Sequence, residues 1–161
     1  LNAPAVEAQL QACEEELSFA LPNSLREFLA VSDGLTGPEG VPYVLSAEQI
    51  VRANVDLWLN QDNDEKFMPL ECLLFFGRGD RNDLYAYPIR GEQAHEVRIF
   101  RWMRDNDSRL FYAEGLEQYF YMRWKALQQG DPGFWDHTKS CKDFEDFRTF
   151  LRWLREAEPA R

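Results

Sequence analysis

The sequence predicts an α+β fold: an antiparallel sheet with helices packed mainly on one side of it. Three observations carry that prediction. Up to Leu59, apolar residues recur mostly at helical spacing, with one short strand-like segment, "VPYVL", between them. From Leu70 to Met103 the period shortens, and "ECLLFF", "DLYAYPI" and "EVRIFRWM" follow one another across polar breaks. Helical spacing then returns from Leu110 onward. Neighbouring strands with short connections are most simply antiparallel, and such a sheet needs helices to cover it.

Each element can be justified in turn. Val6, Leu10, Cys13 and Leu17 share one helical face, so about Pro4 to Phe19 reads as an amphipathic helix with Glu7, Glu14, Glu15 and Glu16 mostly on its wet side. Pro22 suits the first turn of a second helix, where its missing N–H costs nothing, and Leu25, Phe28 and Leu29 form the inward stripe. Gly34 supplies a left-handed stop. After the "VPYVL" strand, Ser46 and Gln49 have the spacing of a capping box, which starts a third helix running from about Ala47 to Leu59 with Ile50, Asn54, Val55 and Trp58 near one face. "NQDNDEK" closes it as a polar loop. Three strands follow, the last two joined by the "RGEQAH" turn. "LFYAEGLEQYFYMRWKAL" is read as helical through Leu116, Phe120 and Trp124, and the "QQGDPG" breaker ends it. Phe144, Phe147, Phe150, Leu151 and Leu154 mark a C-terminal helix with Arg152 and Arg155 in its last turns, the favourable sign there.

A chain of 161 residues, 45% hydrophobic and 14% aromatic, can bury the core of one ordinary domain. Residues 1–161 are therefore read as one domain with a C-terminal helical extension from about residue 128. No apolar run approaches the roughly 18 residues of a membrane span, and the N-terminus has no signal-peptide pattern. Cys13, Cys72 and Cys141 are odd in number, widely spaced and set among apolar residues, as reduced core thiols are, so a cytoplasmic location is expected. The net charge of −10 is unevenly placed. Residues 1–71 hold thirteen acids against Arg26, Arg52 and Lys66, whereas the rest of the chain is balanced. Without a basic excess, direct nucleic-acid binding is not expected; an acidic face suits a basic protein partner.

Catalytic chemistry finds little support. His95 and His137 are isolated, and no cysteine pair has C-x-x-C spacing, so no metal site is expected. The runs starting at Asn60 and Asp105 resemble calcium loops only in their first ligands and lack the sixth-position glycine and twelfth-position glutamate. In "FFGRGDRNDLYAYPI" the glycine-rich turn lies between strands rather than before a helix, so it does not form a phosphate cradle. Gly77 and Gly79 are read there as permitting a tight turn or bulge, with Asp80, Asn82 and Asp83 bonding its backbone. No nucleophile, protease or P-loop signature is present. The chain is thus expected not to be an enzyme and to need no cofactor.

Taken in order, these features have a familial pattern. An opening helix is followed by Leu21, Pro22, Leu25, Phe28, Leu29, Asp33 and Gly34, an "LP…L…FL…DG" segment. Next comes an "FG…G…D.YA" segment at Phe76, Gly77, Gly79, Asp83, Tyr85 and Ala86, then Trp102 with Asp105, placed two residues later than usual, and the helix opening "EGLEQYF". From about Glu7 to Trp124 the chain resembles the SUKH superfamily and, within it, the family of the yeast Smi/Knr cell-wall regulator. The resemblance implies a SUKH-like α+β fold and a protein that works by binding. Bacterial members look like immunity proteins that neutralise cognate toxins, many of them nucleases; the alternative is a non-enzymatic regulatory scaffold of the Smi/Knr type. A hydrolase or small-molecule binder ranks below both. For the immunity reading the partner is a toxin with a basic surface, met by Glu14, Glu15 and Glu16 on the first helix and by Asp56, Asp62, Asp64 and Glu65 around the end of the third. Trp58 is the candidate aromatic anchor, and the edge from Asp80 to Asp83 a candidate addition to the surface.

Overall fold

A computed structural model describes residues 1–59, 69–79, 81–90 and 98–130. In chain order the elements are α1 (Glu7–Leu17), α2 (Asn23–Val31), β1 (Leu35–Thr36), β2 (Pro42–Val44), α3 (Ala47–Leu59), a 3-10 turn (Leu70–Cys72), β3 (Leu73–Arg78), β4 (Leu84–Pro88), β5 (Ile99–Met103), β6 (Ser108–Ala113) and α4 (Leu116–Gln129). The sheet is antiparallel throughout in the order β3-β4-β5-β6, and β1 pairs with β2 as a separate two-stranded ribbon. The fold is α+β, as the sequence predicts. The expected loop after Leu59, the "RGEQAH" turn and the C-terminal helix lie outside the described residues.

Local chemistry explains the boundaries. At the start of α3 the reciprocal capping box is realised: the Ser46 N–H donates to Gln49 Oε1 at 3.0 Å and the Gln49 N–H donates to Ser46 Oγ at 3.2 Å. At α1 the Val6 N–H donates to Gln9 Oε1 at 2.8 Å, which makes Val6 the cap rather than a core residue. Val6 is 60% exposed, and the neighbouring Ala5 is buried instead. Gly34 has φ +93° but does not end α2, which stops earlier at Val31. There the Ser32 hydroxyl donates to the Gly34 carbonyl at 2.7 Å and accepts the Asn2 N–H at 2.8 Å. Gly34 is required further on, where a Cβ would stand 3.0 Å from both the Ser46 nitrogen and the Val44 carbonyl.

One strand was hidden by its neighbours. Leu110–Ala113, read from sequence as the start of a helix, belongs to β6. Asp107 takes a left-handed φ of +55° and Asn106 Oδ1 accepts the Ser108 N–H at 3.0 Å, so the chain reverses and pairs with β5. Asp107, not Asp105, is the aspartate that Trp102 needs: the indole N–H donates to Asp107 Oδ1 at 2.6 Å while Asp105 sits exposed in the turn.

The sheet has a core on each face. Leu74, Phe76, Tyr85, Tyr87, Ile99 and Tyr112 point into the larger one with residues of α1, α2, α4 and the β1–β2 ribbon. Leu73, Phe75, Leu84, Ala86 and Trp102 form the smaller one, against Leu57 and Trp58 at the end of α3. Helix α3 reaches both because it lies along the outer edge of β3. Its buried Asn54 makes the join: Nδ2 donates to the Phe75 carbonyl at 2.8 Å, and Oδ1 accepts the Phe75 N–H at 2.8 Å. An amide side chain thereby occupies the place of a neighbouring strand. The β3–β4 register slips at Phe76, whose carbonyl accepts the Leu45 N–H at 2.7 Å and so ties the ribbon to the sheet. No helix among the described residues is long and apolar enough to cross a membrane.

Replacing Asn54 leaves two buried backbone groups without partners, each costing about 1–3 kcal/mol. Asn54→Ala and the similarly sized Asn54→Leu should both lose about 3 kcal/mol in urea unfolding. Wild-type stability for Asn54→Leu would mean that the site needs only volume. Gly77 leaves no room for a side chain, since a Cβ would lie 2.2 Å from the Tyr43 carbonyl. Gly77→Ala is expected to cost about 2 kcal/mol or more, and Gly79→Ala less than about 1 kcal/mol, in the same assay.

Candidate functional site

Helices α1 and α3 lie side by side and point the same way. At their N-terminal ends the Asn2 side-chain amide donates to the Asp33 carbonyl at 2.7 Å, and Asp33 Oδ1 accepts the Ala47 N–H at 2.7 Å, capping α3 from outside. At their C-terminal ends the rings of Phe19 and Trp58 meet with centroids 6.2 Å apart. Between the helices runs an open groove of about 590 Å³. From α1 it is lined by Gln9, Ala12, Cys13 and Glu16, and from α3 by Glu48, Val51, Arg52, Val55 and Asp56. Both sets follow the i, i+3, i+4, i+7 spacing of one helical stripe.

The three consecutive glutamates of α1 therefore part company, because successive residues on a helix point about 100° apart. Glu14 turns toward α2, where it accepts the Leu21 N–H at 2.9 Å and lies 3.4 Å from Arg26 Nε. Arg26 also binds Glu7 at 2.5 Å, and this bond holds the Glu7 carboxyl below the usual carboxylate range. Glu15 is exposed beside a shallow hollow shared with Gln11, Phe19 and Ala20. Glu16 alone faces α3. Across the groove stands Asp56, exposed like Glu16, and neither carboxylate makes a hydrogen bond or ion pair among the described residues. Arg52, by contrast, is occupied by Glu48 at 2.7 Å one helical turn away.

The other residues expected at a partner surface have different fates. Trp58 is half-buried, donates its indole N–H to the Leu73 carbonyl at 3.2 Å and packs against both cores. It is chiefly a wedge between helix and sheet. Asp83 is withdrawn from the surface at 4% exposure, where its carboxylate receives Arg101 Nε at 2.8 Å and a second donor from the same guanidinium. The turn's backbone is closed by the Gly79 N–H to the Asp83 carbonyl at 2.8 Å rather than by the Asp83 side chain. Asp62, Asp64, Glu65 and Asp80 lie outside the described residues. The described residues contain no group of three or more His, Cys, Asp or Glu that could hold a metal ion. Sequence reasoning missed the groove's floor. Ala12, Val51 and Val55 carry no charge to draw notice, and their signal was the helical stripe they share.

Cys13 is both core and floor. Burial pushes its thiol up to about 11, and the carboxylates of Glu14, Glu16 and Asp33 push in the same direction. At pH 8 only roughly a thousandth of it is thiolate. In native protein Cys13 should alkylate with iodoacetamide at least about 100-fold more slowly than it does in urea, as followed by peptide mass spectrometry. Equal rates would show that the groove neither buries the thiol nor holds a negative field.

A comparison with curated proteins finds no match. The family comparison does, and it covers α1 through the first half of α4: residues 4–122 match the SMI1 / KNR4 family (SUKH-1). That span includes both walls of the groove, the Asn54 join, the bulged β3 with Gly77 and the Trp102 pair. The chain belongs to the SMI1 / KNR4 family (SUKH-1).

Proposed function

We propose that this chain is an immunity protein, which neutralises a cognate toxin with a basic surface by binding it through the α1–α3 face. One observation carries the reading: Glu16 and Asp56 stand on opposite walls of an open groove, and neither makes an ion pair or hydrogen bond among the described residues. Ion pairs that serve folding are occupied, as Glu7, Glu14 and Asp83 are. Exposed carboxylates left unpaired on facing helices are better suited to a charge that arrives from outside. Thirteen of the chain's acids lie in residues 1–71, against three bases, so the field extends beyond the groove and would steer a basic partner toward it. Asp62, Asp64 and Glu65 follow α3 in sequence and would add to that field. A toxin that handles nucleic acid must itself hold phosphates with basic groups, and an acidic face competes for those groups. Binding of this kind needs no catalytic residue in the inhibitor.

The reading is tested by growth rescue with a candidate toxin from a neighbouring gene. Co-expression should restore colony counts, and an unrelated acidic protein should not. No rescue from an active toxin would overturn the pairing and favour a regulatory scaffold role. For the purified pair, Glu16→Lys with Asp56→Lys should slow association about tenfold and flatten its dependence on salt. An unchanged on-rate would place the interface on another face.

A further inference from the structure

The groove is polar along its length, and that polarity specifies what fits it. Near the N-terminal ends of α1 and α3 the charges are already committed: Asp33 caps α3 through the Ala47 N–H at 2.7 Å, and Glu48 holds Arg52 at 2.7 Å. Toward the C-terminal ends, Glu16 and Asp56 have no partner among the described residues. Because the helices point the same way, both C-termini add to this end. The dipole of a helix places up to roughly half a negative charge at its C-terminus. Neither helix has a basic residue in its last turn to offset that charge. Two carboxylates and two helix ends thus face one cavity end, and the cation that lines the groove from α3, Arg52, is held by Glu48 rather than by either of them. Between the two ends the floor is apolar and shallow-sided, made by Ala12, Val51 and Val55.

An apolar trough leading to a concentrated negative end matches one kind of side chain: a long aliphatic stem with a cationic head. Resting on the reading of this face as the toxin-binding one, we infer that the α1–α3 groove is the socket for a single arginine or lysine side chain of the partner. Its stem lies over Ala12, Val51 and Val55, and its head is held by Glu16 and Asp56. The groove's volume of about 590 Å³ leaves room for a long side chain laid along it. A planar guanidinium can bridge two carboxylates, whereas an ammonium acts as a point charge, and the comparison of the two measures that difference.

The test titrates the full chain with N-acetyl-arginine methylamide and follows the methyl signals of Ala12, Val51 and Val55 by NMR. Saturable shifts with Kd on the order of millimolar are expected. The lysine analogue should bind similarly or more weakly, and the neutral citrulline analogue should not shift these signals. Glu16→Gln with Asp56→Asn should raise Kd at least about tenfold, and Ala12→Trp, which fills the trough from an exposed position, should abolish the shifts. Ala8→Trp, on exposed α1 surface that does not line the groove, should leave them unchanged and shows that a new indole does not disrupt the helix. Shifts of the same size with citrulline, no saturable shift with arginine, or arginine shifts that survive Ala12→Trp would overturn the socket. The readout uses no toxin, so it fails separately from the immunity reading. Arginine binding without rescue would leave the socket standing and remove the toxin; rescue that persists in Ala12→Trp would keep the toxin and remove the socket from its recognition.

Discussion

The architecture depends on the amide of Asn54. The outer edge of β3 presents the N–H and carbonyl of Phe75 away from β4, and an unpaired edge of this kind, once buried, would forfeit both bonds. Asn54 satisfies both groups from the middle of α3. In doing so it sets where α3 lies relative to the sheet. Ile50 then falls in the larger core, while Leu57 and Trp58 reach the smaller one on the opposite face. The same placement brings the outer stripe of α3 alongside α1, so the groove exists because a strand edge needed a partner.

The acidic residues divide according to the same logic. Those bonded to another part of the chain are drawn into folding: Glu14 serves the chain entering α2, Asp33 caps α3, and Asp83 is sealed against Arg101. Those pointing out of the α1–α3 stripe are not needed by the fold. A net charge concentrated in the first part of the chain therefore overstates what a partner can meet, and helical phase sorts the available carboxylates from the committed ones. Among the described candidates, Glu15, Glu16 and Asp56 remain exposed, and two of them share the groove.

Much of the fold was legible because its signals were local. The capping box at Ser46 and Gln49 placed α3 at its observed bounds, and the Leu116, Phe120 and Trp124 stripe located α4. β6 was missed because "LFYA" runs into a helix of similar composition, and the turn that brings it back against β5 depends on the left-handed Asp107, which has no spacing rule. Asn54 was read as one residue of an inward face; that its amide would replace a strand depends on β3, 21 residues away. The site was legible in its chemistry but not its geometry. The sequence pointed to acids on α1 and near the end of α3, yet adjacency in sequence grouped Glu14, Glu15 and Glu16 on one surface when helical rotation separates them. Asp83 looked exposed because turns usually are, and only its distant partner Arg101 withdraws it.

The buried Arg123 links parts of the chain that are far apart in sequence. Its guanidinium lies 4.1 Å from the centre of the Tyr43 ring and 5.5 Å from that of Tyr85, at 2% exposure, and Tyr119 of the same helix donates its hydroxyl to the Tyr43 carbonyl at 2.7 Å. Lifting α4 would strip a cation from an aromatic enclosure and free the β2 backbone at once. The last described helix and the first ribbon are therefore expected to open together, with similar hydrogen-exchange protection of the backbone amides in both.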